Sequence, residues 1–480
     1  LIRTVAYESQ LKSDRARLHR RLAATIEAQE PESADQNAAL IAEHLEAAGD
    51  LHAAYDWHMR AATWATNRDI AAARLGWERA RTIADALATE DPNRAAMRIA
   101  PRTMLCAIAF RFHINVSGDM FDELRELCTA AGDKASLVLA MAGLVVDHAY
   151  HARIHEASQL ASEAWALAES VGDPSLTVGL STAAILSKAE NSELSEVLRW
   201  SQRAIDLADG DPSMGNFMVG SPLALAIAQR GFARFWLGLP GWRDDQRQGL
   251  TMARSADALS YAAAVSFVYI PGIPGGALRA DDRAVREIEE ALRIAERSGD
   301  DLALVLGWMT LGFALVHRPT DAERDRGQKF LAEACDWISR WRYLLCELPV
   351  VSVYLARERA RCGDRDQAVP LMRSAVNDLF PEGQLLFWGV PATGVLVDTL
   401  LDRGADGDVA EAEAATDRLA AAPSDEDFVT RDVLLLRLRA LLARSHGDDA
   451  AYADFRDRYR DMAKTLGFEG HIALADAMPD

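Results

Sequence analysis

The sequence predicts an all-α chain, an α-solenoid of stacked antiparallel helix pairs, and three observations carry that prediction. Apolar residues make up 50% of the chain, and the two-residue alternation of a half-buried strand never runs for more than a few positions. A helix stop followed at once by a helix start recurs along the sequence. The recurrences fall about 40 residues apart, room for two helices and a turn, which is the spacing of a helical-repeat array.

The signal is clearest in residues 164–174, AWALAESVGDP. Gly172 can take the left-handed conformation that closes a helix, Asp173 can accept from the free N–H groups of the next one, and Pro174 suits its first position. ALRIAERSGD (291–300) repeats these features, and LRELCTAAGD (124–133), AIDLADGDP (204–212) and RERARCGD (357–364) follow more loosely. Asp133, Asp173 and Asp211 follow one another at close to one such unit, and Asp300 lies close to three units beyond Asp173. The step from Asp300 to Asp364 is longer than one unit and shorter than two, and it breaks the series.

A chain of 480 residues exceeds one small core, yet no break in composition divides it, and a stack of repeats reconciles the two. The net charge of −20 argues against broad contact with nucleic acid, which needs a concentrated basic surface. Five cysteines (Cys106, Cys128, Cys335, Cys346 and Cys362) are few, scattered and odd in number, so they read as free thiols of a reducing compartment. No run approaches the ~18 apolar residues of a membrane helix and no signal peptide opens the chain, so a cytoplasmic location with no membrane contact is expected. The start at Leu1, inside what already reads as structure, suggests a piece of something longer.

From Ser13 onward, Leu18, Leu22 and Ile26 form one apolar stripe, with Arg15, Arg17, Arg20 and Arg21 around it and Pro31 as the stop. These arginines are expected to be solvated or paired with acidic neighbours. Residues 37–65 read as the clearest helix pair, parted at Gly49-Asp50. There Ala54, His58 and Ala61 stand where tetratricopeptide-type repeats place a small residue, an aromatic and another small residue, a pattern of packing rather than chemistry. Gly363, Ala368, Met372 and Ala375 repeat it. A helix over about 69–87 turns Leu75, Ala80 and Ile83 inward, and the next is kinked or restarted at Pro101. Further helices are read over 134–153, 155–172, 173–190 and 192–210, and the pattern persists over 222–237. Residues 237–249 break the pattern, and 317–327 form a polar insertion. The least regular segment, 269–283 (YIPGIPGGALRADDR), reads as a connector between the first half of the array (34–268) and the second (284–480), or else as a loop shaping a pocket.

The usual constellations of chemistry are missing: there is no phosphate loop, no dinucleotide fingerprint, no H-E-x-x-H and no G-x-S-x-G, so no catalytic or cofactor-binding residue is assigned. The S-x-x-K spelling at Ser9 to Lys12 has no companion motif and is expected by chance. His148, His151 and His155, at i, i+3 and i+7 of one helical face, are weak metal candidates. The outer two lie roughly 10 Å apart along the axis, too far for one ion, and a polar helix face is the simpler reading. Trp57, Trp64, Trp165, Trp200 and Trp308 read as core, whereas Trp337, Trp341 and Trp388 are candidates for lining a concave partner or ligand surface.

The opening LIRTVAYESQLKSDRARLHRRLAATIE resembles the segment that closes the helical or winged-helix module behind the nucleotide-binding domain of bacterial signal-transduction (STAND-type) ATPases. AEHLEAAGD and AAYDWHMRAA continue, as in that family, into tetratricopeptide-like repeats, and ALRIAERSGDDLAL and YRDMAKTLGFEGH share its general wording. The resemblance is good from Leu1 to Ala65 and architectural beyond. It implies that residues 1–33 end an upstream ATPase module and that the chain is the sensor or scaffold region of a regulator, often one with an N-terminal class III adenylate or guanylate cyclase domain. ATP and a divalent metal are implied only for those upstream domains, because neither the cyclase aspartates nor a phosphate loop occurs here. The repeat, at about 40 residues where tetratricopeptide arrays use roughly 34 residues, departs from that pattern.

The expected function is therefore a non-enzymatic module that binds a protein or peptide partner, or the upstream ATPase or cyclase domains, on a superhelical surface. The alternative is a small-molecule effector site near the Gly/Pro segment of a transcriptional regulator.

Overall fold

A computed structural model describes residues 11–29, 33–112, 119–379, 386–424 and 427–479. Among them the fold is all-α, with two single turns of 3₁₀-helix and no strand. Most successive helices pack against one another, which is the stacked antiparallel pairing the sequence predicts. None of these helices is long and apolar enough to cross a membrane. The chain divides into two compact units, 1–144 and 145–480.

In the first unit, Leu51–Ala65 and Ile70–Ala86 meet through small residues. A Cβ on Gly76 would lie 2.9 Å from that of Ala62 and 3.0 Å from the His58 carbonyl, so only glycine admits this approach. Ala54, Ala61 and His58 are buried as the repeat pattern requires, with His58 Nε2 3.1 Å from Glu46. Leu75, expected inward, is exposed instead, because Ala73, Gly76, Trp77 and Ala80 set the buried face of its helix. Arg94–Ile108 runs through Pro101 without the expected restart. An interior proline costs ~3 kcal/mol, and burial of Met97, Ile99, Leu105 and Ile108 on the same helix, at about 1.5–3 kcal/mol each, exceeds it. Arg20 pairs with Asp50 and Arg17 with Asp14, as expected of arginines beside acidic neighbours. Residues 1–10 and Pro31 lie outside the described residues.

In the second unit the first helices of successive pairs begin at Ile154, Leu194, Trp242, Asp282, Asp321, Arg365, Asp408 and Asp449, so the pairs recur at a nearly constant step of about 40 residues. The irregular aspartate step now has a cause. Asp173 and Asp300 precede the second helix of a pair, accepting from Ser175 N and Ala303 N, whereas Asp364 precedes the first helix of another. The two positions differ by one helix, so the step from Asp300 to Asp364 spans a full unit plus part of the next. Gly172 (φ 78°) and Gly299 (φ 70°) close the preceding helices in the left-handed conformation. The breaks at 237–249 and 317–327 are shorter than expected, since helices Trp242–Ala253 and Asp321–Trp341 begin inside them.

The Gly/Pro segment is tied down. Ala258–Gly272 extends through Pro271, and the turn after it is closed by Leu278 N donating to Gly272 O at 2.8 Å. Glu469 N donates to Ala277 O at 3.1 Å and His471 N to Gly276 O at 2.9 Å, so the first turn of Glu469–Asp476 spends its free N–H groups on this turn. Gly276 (φ 68°) and Gly470 are needed for that contact: a Cβ on the first would meet the His471 ring at 2.7 Å, and on the second Gly276 O at 2.8 Å.

Candidate functional site

The turn that residues 273–281 make is one wall of a groove of about 910 Å³ in the second unit. The opposite walls come from the His317–Arg318 corner and from helices Leu348–Arg361, Gly389–Arg403, Val429–Ser445 and Glu469–Asp476. Arg318 locks the corner: its Nη1 donates to Ala280 O at 2.8 Å, its Nη2 to Asp282 at 2.6 Å and its Nε to Glu323 at 2.8 Å. Arg357 lies over the Tyr354 ring at 4.7 Å and donates to Val316 O at 2.5 Å. On the floor Arg437 Nη2 reaches both oxygens of Asp398 at 2.9 Å.

Two histidines face the groove uncharged. His317 has its pKa lowered by burial and then by Arg357, and its Nδ1 lies 2.7 Å from Phe313 O. A carbonyl only accepts, so Nδ1 carries the proton and Nε2 is left to accept from Arg357 Nη1 at 3.3 Å. Burial, and secondarily Arg437, lowers the pKa of His471 to about 3. Five arginines line the groove beside four carboxylates, and Glu323 and Glu358 also pair with Arg318 and Arg357. Arg279 and Arg283 at the rim are exposed and form no ion pair among the described residues.

A smaller, enclosed chamber of about 50 Å³ lies between Tyr150, Glu190, Gln229, Glu347 and Trp388. Its aromatic wall is continuous: Phe387 and Trp388 have ring centroids 4.3 Å apart, and Phe232 lies 5.4 Å from Phe387. Both amide atoms of Gln229, Oε2 of Glu347 and Nε1 of Trp388 are buried there without a hydrogen-bond partner. Burial, and then Glu190, pushes the Glu347 carboxyl well above the usual carboxylate range, and burial likewise raises the Cys346 thiol.

The structure separates the residues singled out from the sequence. Lys134–Tyr150 ends before His151, Ala152 turns the chain at φ 59°, and His155 sits exposed on Ile154–Val171, so the three histidines do not share a helical face. His151 Nδ1 lies 2.8 Å from Asp147 O, and Asp147 raises its pKa. His148 is half-buried, its pKa lowered by burial and then by Arg153. Trp165 and Trp200 stack in the core with centroids 4.6 Å apart, while Trp57, Trp64 and Trp308 are only half-buried. Trp337, Trp341 and Trp388 do not form one surface. Trp337 is half-buried and Trp341 is 49% exposed, neither lining the groove nor the chamber, whereas Trp388 is buried in the chamber wall. Gln229, Glu347 and the groove arginines were not foreseen. Gln229 and Glu347 carry a signal, a polar residue inside an apolar run, as in LALAIAQRGF and LLCELPVV, whereas Arg279, Arg283 and Arg318 lie in polar stretches without it.

No family model and no curated protein matches this sequence. Among solved structures, a Rap protein complexed with competence and sporulation factor is 13% identical, covering 88% of this chain and 99% of that one, with a TM-score of 0.38. A human IFIT1 dimer with m7Gppp-AAAA is also 13% identical, covering 92% and 90%, with a TM-score of 0.36. A circular tandem repeat protein is 14% identical over 97% and 98%, with a TM-score of 0.13. At such TM-scores the likenesses carry no argument about the groove, whose description rests on this chain's own residues.

Proposed function

We propose that this chain is a non-catalytic binding and regulatory region that holds a short acidic segment of a protein partner in the groove beside the Gly/Pro turn. The supporting observation is the pair of exposed rim arginines, Arg279 and Arg283, which form no ion pair among the described residues and are set to meet carboxylates. The exposed Leu474 adds an apolar contact within reach of such a segment.

The likeness of the stretch from Leu1 to Ala65 to signal-transduction ATPases supports a cytoplasmic regulator in which the partner segment belongs to the parent's own ATPase or cyclase domains. Peptide-display selection on the full chain tests the reading. Acidic sequences should be enriched, and Arg279→Glu with Arg283→Glu should weaken their binding, measured by fluorescence anisotropy, at least about tenfold. Enrichment of neutral or basic sequences, or binding indifferent to the double substitution, would overturn it. The volume of the groove also falls in the range of small-molecule pockets, about 300–1,000 Å³. A small anionic effector is the second reading, and ligand-dependent thermal stabilisation without peptide binding would favour it.

A further inference from the structure

We propose that Glu190, Cys346 and Glu347 form a binding site for a divalent transition-metal ion, zinc in the first instance, which fastens the end of the Pro174–Glu190 helix to the Leu345–Glu347 turn. The site is separate from the groove and does not depend on the function proposed for it.

Geometry comes first. One ligand atom from each of the three residues lies within 4.8 Å of the other two, and all three residues are buried. Ligands at about 2.0–2.3 Å from a tetrahedral ion stand roughly 3.3–3.8 Å from each other, so side-chain adjustments of about 1 Å close the shell. The donor set then narrows the ion. A thiolate beside two carboxylates suits zinc, which accepts sulfur and oxygen together, whereas magnesium and calcium take oxygen alone.

Unpartnered buried atoms point independently to a ligand. Glu347 is 9% exposed and its Oε2 has no hydrogen-bond partner; Gln229 is 1% exposed and neither amide atom has one. Buried polar atoms are nearly always paired, and these of Glu347 and Gln229 line one chamber. Gln229 Oε1, or a water held by that amide, can take the position the three residues leave open.

Charge supports the same reading. Several other buried carboxylates in this unit meet a cation: Asp408 meets Arg403 at 2.6 Å, Glu358 meets Arg361 at 2.7 Å, and Asp147 meets Arg153 at 3.0 Å. Glu347 meets none among the described residues, and the charge acting on it is that of Glu190. A dication is the partner that would answer the unpaired Glu347 carboxyl. Volume decides what kind of cation it is. The chamber holds about 50 Å³, a third of the ~150 Å³ that admits benzene, while a water needs only ~10–15 Å³. An ion with a few waters fits, and an organic cation of metabolite size does not.

Cobalt(II) added to the chelator-stripped full chain provides the test. A thiolate-to-cobalt charge-transfer band in the near ultraviolet, saturating at one equivalent and displaced by zinc, is expected. The band should persist in Cys362→Ser, which removes the exposed thiol, and vanish in Cys346→Ser. Glu347→Gln should weaken cobalt binding by about tenfold or more. Should Cys346→Ser fail to fold by circular dichroism, the Cys362→Ser and Glu347→Gln titrations still decide. No band in the native chain, a band lost with Cys362→Ser, a band surviving in folded Cys346→Ser, or unchanged affinity in Glu347→Gln would overturn the proposal.

Discussion

Asp245 and Glu347 are both buried acids in the second unit, and their surroundings could hardly differ more. Asp245, 3% exposed, receives Arg230 through two hydrogen bonds at 3.0 and 2.6 Å and Arg234 through one at 2.7 Å. Glu347 has another carboxyl and a thiol for neighbours. Two guanidiniums replace the water that the first gave up; the second is held as the neutral acid because burial and Glu190 both disfavour ionisation. His471 takes a third course, surrendering its proton so that its ring stays neutral behind Arg437. These buried titratable groups are thus either paired or discharged, and the discharge of Glu347 leaves its Oε2 without a hydrogen-bond partner.

The largest expected effect comes from breaking the paired case. Replacing Arg230 and Arg234 together by alanine should cost about 3–5 kcal/mol in urea unfolding, since it strands a buried carboxylate. A loss below about 1 kcal/mol would mean that Asp245 does not depend on its guanidiniums, and the contrast would fall.

Next in size is the histidine. Its pKa is about 3 in the fold and about 6.5 when unfolded, so its contribution to stability is present at neutral pH and lost as pH falls from the higher value toward the lower. His471→Gln should remove a few kcal/mol of that acid sensitivity, seen as a flatter stability-against-pH curve below neutrality. A curve of unchanged slope would place the sensitivity elsewhere.

The smallest effect concerns Glu347, and its sign is opposite. Its folded pKa is raised, so the fold is most stable where the acid is protonated in both states and loses stability as pH rises past the ordinary glutamate value of about 4.3. Metal-free Glu347→Gln should flatten this loss and leave stability at neutral pH within about 1 kcal/mol of the native chain, or raise it. A large destabilisation at neutral pH would show that the carboxyl is charged and paired.

The fold was legible because its signals are local. Gly172, Asp173 and Pro174 announce a helix boundary through their own backbone preferences, and the unit of about 40 residues followed from counting such boundaries. Failures occurred where distant packing overrides a local rule. Leu75 is turned outward by a neighbouring glycine contact, and the break after His151 separates histidines that a continuous helix would have aligned. The candidate sites were less legible still. Glu190 and Glu347 are far apart in the chain, and the wall of the groove joins residues near 275 to residues near 471, so only the folded chain brings them together. Trp388 was noticed as a large aromatic, but nothing in its sequence neighbourhood distinguishes a chamber wall from a surface.

Hydrogen-exchange mass spectrometry of the full chain, with and without a display-selected acidic peptide, tests the central claim most directly. The account predicts that the peptide slows exchange in residues 273–283 and at the start of the Glu469–Asp476 helix, with little change around Trp337 and Trp341. Protection centred on the Asp321–Trp341 helix, with the Gly/Pro turn unaffected, would contradict it.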